Sequence, residues 1–218
     1  MSLVKGMFIV FEGIDGSGTS TQAEMLNNYF LNKRKKCHLT SEPSDGPVGN
    51  MIRQAFKGRL NLSKGENPYI NGGDLFDEQM AYLFAADRHD HLYNEIDGII
   101  KLINQGATVI STRYYFSSYA YHCNSDADFE LVKNLNLRFP KPDLVVYLNN
   151  TVAVSISRMR NRAFKDEYEN ERKLNLVKNN YTKIFELYEG EKLIIDATDS
   201  INNIHKAIVN KVCELECR

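Results

Sequence analysis

A strand-like run, Phe8-Ile9-Val10-Phe11-Glu12, opens directly into Gly13-Ile14-Asp15-Gly16-Ser17-Gly18-Thr19-Ser20. This junction constrains the fold more than anything else in the chain. An extended segment must turn sharply and start a helix, whose core runs from Thr21 to Phe30. The loop follows the pattern G-x-x-x-x-G-K-[ST], except that Thr19 stands where the lysine belongs. Glycines let the backbone wrap closely around a phosphate, and the helix N-terminus behind them turns N–H groups toward it. Gly13, Asp15, Gly16, Ser17, Gly18, Thr19, Ser20 and Thr21 are therefore expected to hold phosphate. Ser20 can offer a hydroxyl to a magnesium ion carried by that phosphate. Thr19 removes the ammonium that would neutralise charge on a transferring phosphoryl group. An ordinary glycine-rich turn is the competing reading; the strand before and the helix after favour the phosphate loop.

The rest of the chain alternates in the same way. Short apolar runs at 7–12, 36–40, 108–112, 144–148 and 193–196 read as strands covered on both faces. Helical segments are expected at 20–32, 48–56, 75–105, 127–136, 152–160, 167–187 and 201–214. Five strands interleaved with helices imply an α/β fold, a doubly wound five-stranded parallel sheet with its ligand crevice at the strand carboxyl ends. The 218 residues suit one domain, with a loop-rich stretch at 58–74 and a charged one near 158–171.

Composition narrows the partners. A net charge of −1 provides no basic field for gripping nucleic acid. No apolar run reaches the ~18 residues of a membrane span, and the N-terminus lacks a signal-peptide pattern. Cys37, Cys123, Cys213 and Cys217 have neither zinc nor disulfide-framework spacing, so a reducing cytoplasm is expected.

Polar clusters fall where the strands end. Thr40-Ser41-Glu42-Pro43 follows the second strand, with Ile52-Arg53 soon after. Thr112-Arg113-Tyr114 ends the third and leads into Ser117-Ser118-Tyr119-Ala120-Tyr121. Phe84 and Arg88, four apart and so on one helix face, could form a shelf for a nucleobase.

These motifs resemble the thymidylate kinase family nearly end to end. The resemblance is carried by Phe11-Glu12-Gly13-Ile14-Asp15-Gly16, Glu42-Pro43, Ile52-Arg53, Leu83-Phe84-Ala85-Ala86-Asp87-Arg88, Arg113-Tyr114, Ala120-Tyr121, Lys141-Pro142-Asp143-Leu144 and Ile195-Asp196-Ala197. It implies a P-loop NTPase-type fold with a short lid, transfer of the terminal phosphate of ATP to dTMP with magnesium, and a homodimer. By position, Asp15 would lie near the metal between donor and acceptor phosphates, with Ser20 as the second metal-side group. Arg53 and Arg113 would grip the acceptor monophosphate near Glu42, and Phe84 would stack on thymine. Arg88 would hydrogen-bond its carbonyl, and Ser118, Tyr121 and His122 would complete the base and sugar contacts. Because Gly16 follows Asp15, the catalytic arginine would come from the lid, where Arg158, Arg160 and Arg162 stand.

The departures from the family are specific. Thr19 replaces the loop lysine, Thr112 an aspartate, Ser41 an arginine and His122 a glutamine. Arg53 and Phe84 are 31 positions apart, a gap lengthened by the 58–74 stretch, which is expected to border the acceptor pocket. A kinase with shifted base choice and a weakly catalytic nucleotide-binding protein therefore stand beside the dTMP kinase reading.

Overall fold

Each strand is short because a turn residue or a polar cluster stops it, and the five line up in parallel. The computed structural model describes residues 5–69, 73–159 and 171–217. Strands β1 (Phe8–Glu12), β2 (Cys37–Ser41), β3 (Thr108–Thr112), β4 (Leu144–Asn149) and β5 (Lys192–Asp196) form one sheet in the order β2-β3-β1-β4-β5. All four pairings are parallel; Ile9 sits opposite Ile110 on one side and Leu144 on the other. The central strand β1 is buried throughout.

Alternation along β1 sends side chains into two cores, as the strand period of two requires. Phe8 and Val10 join Ile52, Met80, Val145, Tyr181 and Phe185 on one face. Ile9 and Phe11 join Leu26, Phe30, Val146, Ile204 and Ile208 on the other. Helices α1 (Thr19–Asn32) and α9 (Ile201–Glu216) cover the second face. The first is covered by α2 (Pro47–Phe56), α3 (Leu75–Tyr93), α5 (Tyr115–His122) and α8 (Glu171–Leu187). Among the described residues, no helix is long and apolar enough to cross a membrane.

Two helical expectations change. The segment 75–105 divides into α3 and α4 (Ile99–Asn104), because Asn94 folds its side-chain oxygen back to accept from Ile96 N and Asp97 N, both at 2.9 Å. That side chain competes with the helical ladder and ends it. Helix α5 is additional: its buried face holds Phe116, Ser118, Ala120, Tyr121 and His122, a mixture with no clear apolar period. Helices α6 (Asp126–Asn136), started by a Ser125 capping box, and α7 (Val152–Met159) lie near their expected positions.

Candidate active site

Where β1 ends, the loop Gly13–Ser20 turns outward. Gly16 (φ 79°) and Gly18 (φ 100°) adopt left-handed backbone that a side chain would strain. A Cβ at Gly16 would also meet the Ser155 carbonyl at 2.7 Å. Ser17 N bonds Ile14 O at 3.0 Å and closes the turn. Gly18 caps α1 with no side-chain hydrogen bond, so the first-turn N–H groups and the positive end of the helix dipole face the loop's concavity. Thr19 begins α1 half-buried, and Ser20 is exposed beside it.

Arg158, on the last turn of α7, reaches this loop. Its Nη1 donates to the carbonyls of Gly16 and Ser17, both at 3.3 Å, and its Nη2 to that of Ala197 at 3.0 Å. It therefore stands beside the loop where Ser17, Gly18, Thr21, Ala197 and Ile201 help enclose a cavity of about 190 Å³. Arg160 and Arg162 lie outside the described residues.

Asp15 joins this loop to a second cavity of about 260 Å³, which it lines with Ser41, Glu42, Arg53, Phe84, Arg113, Ser118, Tyr121 and His122. Arg113 Nη2 donates to Asp15 Oδ1 at 2.5 Å, and the Tyr121 hydroxyl donates to Oδ2 at 2.8 Å. The Arg113 guanidinium lies 5.0 Å over the Tyr121 ring, a cation–π contact. Burial lowers the Arg113 pKa, but Tyr121, Asp15, Tyr181 and Glu12, in that order, together hold it well above its usual value. This cation keeps its charge at any working pH.

At the far wall, Arg53 from α2 donates to the backbone carbonyls of Pro43 (2.8 Å) and Ser44 and to Asp45 Oδ1 (2.9 Å). These contacts turn its guanidinium toward the loop after the cis Glu42–Pro43 peptide. Phe84 lies on the cavity with its ring 5.4 Å from the His122 imidazole and 6.3 Å from Phe56. Burial pushes His122 down to about 3, so it is neutral at physiological pH.

Arg88 is placed differently from a base-facing residue. It is completely buried and does not line the cavity. Its Nε and Nη2 grip Glu42 Oε2 at 3.0 and 2.6 Å, its Nη1 reaches Asn136 Oδ1 at 2.5 Å, and Nη2 also reaches Ser118 Oγ at 3.3 Å. Glu42 and Ser118 face the cavity and Arg88 braces them from behind. The helical spacing put Phe84 and Arg88 on one face, but the Arg88 guanidinium is held behind the wall by Glu42 and Asn136, and Phe84 lines the cavity.

The 58–74 stretch was expected to border this cavity, but none of its described residues lines it. They fold onto the start of α3 instead, with Asn67 Nδ2 donating to Glu78 at 2.7 Å and Leu75 N to Gly65 O at 2.9 Å. Asp74 caps α3 through Asp77 N.

Sequence reasoning missed a buried layer under Arg113. Glu12 accepts from Tyr114 N, Ser117 Oγ and Tyr181 OH at 2.7–2.8 Å. Ser117 and Tyr181 in turn face Arg113 Nη1. The available signal was a carboxylate at the end of a central, otherwise apolar strand.

Among the described residues no group of three His, Cys, Asp or Glu could hold a metal ion alone. That suits magnesium, which keeps several waters and takes one or two protein oxygens beside substrate phosphates. The Ser20 hydroxyl and the Asp15 carboxylate, on the two sides of the loop, are hard oxygen donors of that kind.

A family model described as thymidylate kinase matches residues 11–208. A probable thymidylate kinase of Thermococcus kodakarensis is 40% identical over 205 residues, covering 93% of this chain and 95% of the relative. Proteins described in the same words from Thermococcus gammatolerans and Methanocaldococcus jannaschii are 38% and 32% identical over 208 residues, each covering 95% of this chain and 96% of the relative.

Proposed function

The chain belongs to the thymidylate kinase family, and from that premise we propose how its residues divide the work. It transfers the terminal phosphate of ATP to dTMP, giving dTDP. An oxygen of the dTMP phosphate attacks the terminal phosphorus of ATP, and ADP leaves. Such transfer is mostly positioning and charge neutralisation, so both nucleotides need anion cradles.

The N–H groups of Gly13–Ser20 cradle the donor phosphates, and Arg158 braces the loop carbonyls and borders the nucleoside side. Arg53 and Arg113 grip the acceptor phosphate, Phe84 stacks on its base, and Ser118, Tyr121 and His122 complete the pocket under Glu42. Arg88 acts on that pocket through Glu42 and Ser118. Ser20 and Asp15 would hold magnesium, which would supply charge neutralisation for the transferring group. The loop's lysine is absent, so Arg158 and the lid cations Arg160 and Arg162 carry the remaining positive charge.

One observation carries the reading. Asp15 belongs to the phosphate loop and also lines the acceptor cavity, bonded there to Arg113. The transferring phosphate therefore has a single meeting point. The shifted-base and weakly catalytic alternatives are not favoured, because the family match and the relatives are those of thymidylate kinases. We further propose one domain with a lid near 158–171, acting in the cytoplasm as a homodimer. Exposed Met51 on α2 and Tyr82 and Tyr93 on α3 support an apolar interface on that side.

An ADP-coupled assay with ATP, magnesium and each monophosphate tests the assignment. Turnover of dTMP well above dUMP, dCMP, dGMP and AMP is expected; nucleotide binding without turnover would defeat it.

A further inference from the structure

Glu12 closes β1 one residue before the phosphate loop and is completely buried. A buried carboxylate is costly unless its oxygens are satisfied. Tyr114 N donates to Oε1 at 2.8 Å, and the Ser117 and Tyr181 hydroxyls donate to Oε2 at 2.7 and 2.8 Å. A hydroxyl has one proton. The two hydroxyls also lie 2.9 Å from each other, so each proton is turned to Glu12 or to the other hydroxyl, and only oxygen lone pairs remain for Arg113, whose Nη1 lies 3.0 Å from Ser117 Oγ and 3.4 Å from Tyr181 OH. The opposite edge of the guanidinium is held by Asp15 at 2.5 Å and Tyr121 at 3.2 Å.

The backbone of Arg113 needs support as well. Its φ of 72° lies in the left-handed region that residues with a Cβ disfavour. Three hydrogen bonds fix it there: Arg113 N to Phe11 O at 2.8 Å, Ser111 Oγ to Arg113 O at 2.9 Å, and Tyr114 N to Glu12.

We propose that Glu12 is a positioning residue for phosphoryl transfer, aiming Arg113 at the acceptor phosphate through the Tyr114 amide and the Ser117 and Tyr181 hydroxyls. It lines neither nucleotide cavity and acts only through these neighbours. The proposal rests on the reading that Arg113 grips the acceptor phosphate.

The test is Glu12→Gln in the full-length enzyme, measured as KM for each nucleotide and as kcat. A glutamine must set its NH2 against either the Tyr114 N–H or the two hydroxyls, so the relay misaligns while volume is kept. KM for dTMP is expected to rise roughly tenfold or more, with KM for ATP within about twofold. Adding Glu12→Gln to Arg113→Ala is expected to change KM for dTMP by less than about twofold, because the two act as one unit. Fully additive losses would mean a general structural role and overturn the proposal. If Arg113→Ala itself leaves KM for dTMP unchanged, the acceptor-site reading has failed rather than the relay. Tyr181→Phe keeps the ring and removes one hydroxyl. It is expected to raise KM for dTMP roughly threefold, and not in the Arg113→Ala background. Should Glu12→Gln fail to fold, an unchanged KM in Tyr181→Phe overturns the proposal.

Discussion

Replacing Arg113 separates what its side chain does from what its backbone costs. The guanidinium is four-fifths buried, paired to Asp15 at 2.5 Å, bonded to Ser117 at 3.0 Å and stacked on Tyr121. A charge-assisted hydrogen bond to phosphate contributes ~1.5–3 kcal/mol. With one or two such bonds lost, Arg113→Ala should cost about 2–4 kcal/mol in kcat/KM for dTMP, roughly 30-fold to 1,000-fold. KM for ATP should change little, because Arg113 does not line the donor cavity. The backbone supplies an internal control, since alanine inherits the strain of φ 72° and glycine does not. Arg113→Gly should therefore lose the same activity yet be more stable than Arg113→Ala by about 1 kcal/mol, or ~2–4 °C in Tm. Coupled kinetics and calorimetry on the two variants read both effects. An unchanged dTMP requirement in either variant, or a loss confined to ATP, refutes the acceptor role. A glycine variant less stable than the alanine one refutes the strain argument.

Other variants probe the layers around that residue. Arg88→Met leaves Glu42 buried without its partner, both side chains being 1% exposed in the native pair, and should cost about 3–5 kcal/mol by urea unfolding. Adding Glu42→Gln should return part of that loss. Arg158→Ala should raise KM for ATP by about tenfold and Thr19→Ala by much less, because Arg158 holds the loop carbonyls while Thr19 does not substitute for a cation; equal small effects would place the compensating charge elsewhere. Burial pushes Glu12 from 4.5 to about 7, against Arg113 and its three hydrogen bonds; Tyr115 and Tyr147 also face it. A raised carboxyl binds its proton more tightly in the native state, so this stabilisation is complete below about 4.5 and lost as pH rises through about 7. The stability of the native enzyme relative to Glu12→Gln should fall by about 3 kcal/mol across that window, read by urea unfolding at several pH values. In kinetics the sign reverses: protonating Glu12 below about 7 weakens its hold on the two hydroxyls, so KM for dTMP should rise there. Glu12→Gln should lack that rise.

The fold was legible because strand ends in this chain are chemically loud. Phe8–Glu12 running into a glycine loop, and the clusters after Thr40 and Thr112, mark carboxyl ends that the parallel sheet gathers on one edge. Which groups face the cavity was harder to read. Phe84 and Arg88 share a helical face by spacing, yet Arg88 turns to Glu42 and Asn136, a choice made by partners 46 and 48 residues away. Glu12 showed only as a carboxylate ending an apolar strand; its role was hidden because its partners arrive from α5 and α8. Asn94 broke the long helix through a side-chain hydrogen bond that apolar periodicity does not register. Residues 58–69 and 73–74 were long enough in sequence to suggest a pocket rim, but their hydrogen bonds go to the end of α2, to one another and to α3.

Because the phosphate loop and the acceptor cavity meet at Asp15, the most direct measurement follows the phosphate itself. ATP labelled in its terminal phosphate is incubated with dTMP, magnesium and enzyme, and the nucleotides are separated. Label should appear in dTDP in proportion to ADP formed, and Arg113→Ala should abolish most of it. Label released only as inorganic phosphate, or retained in ATP while dTMP binds, would contradict the account.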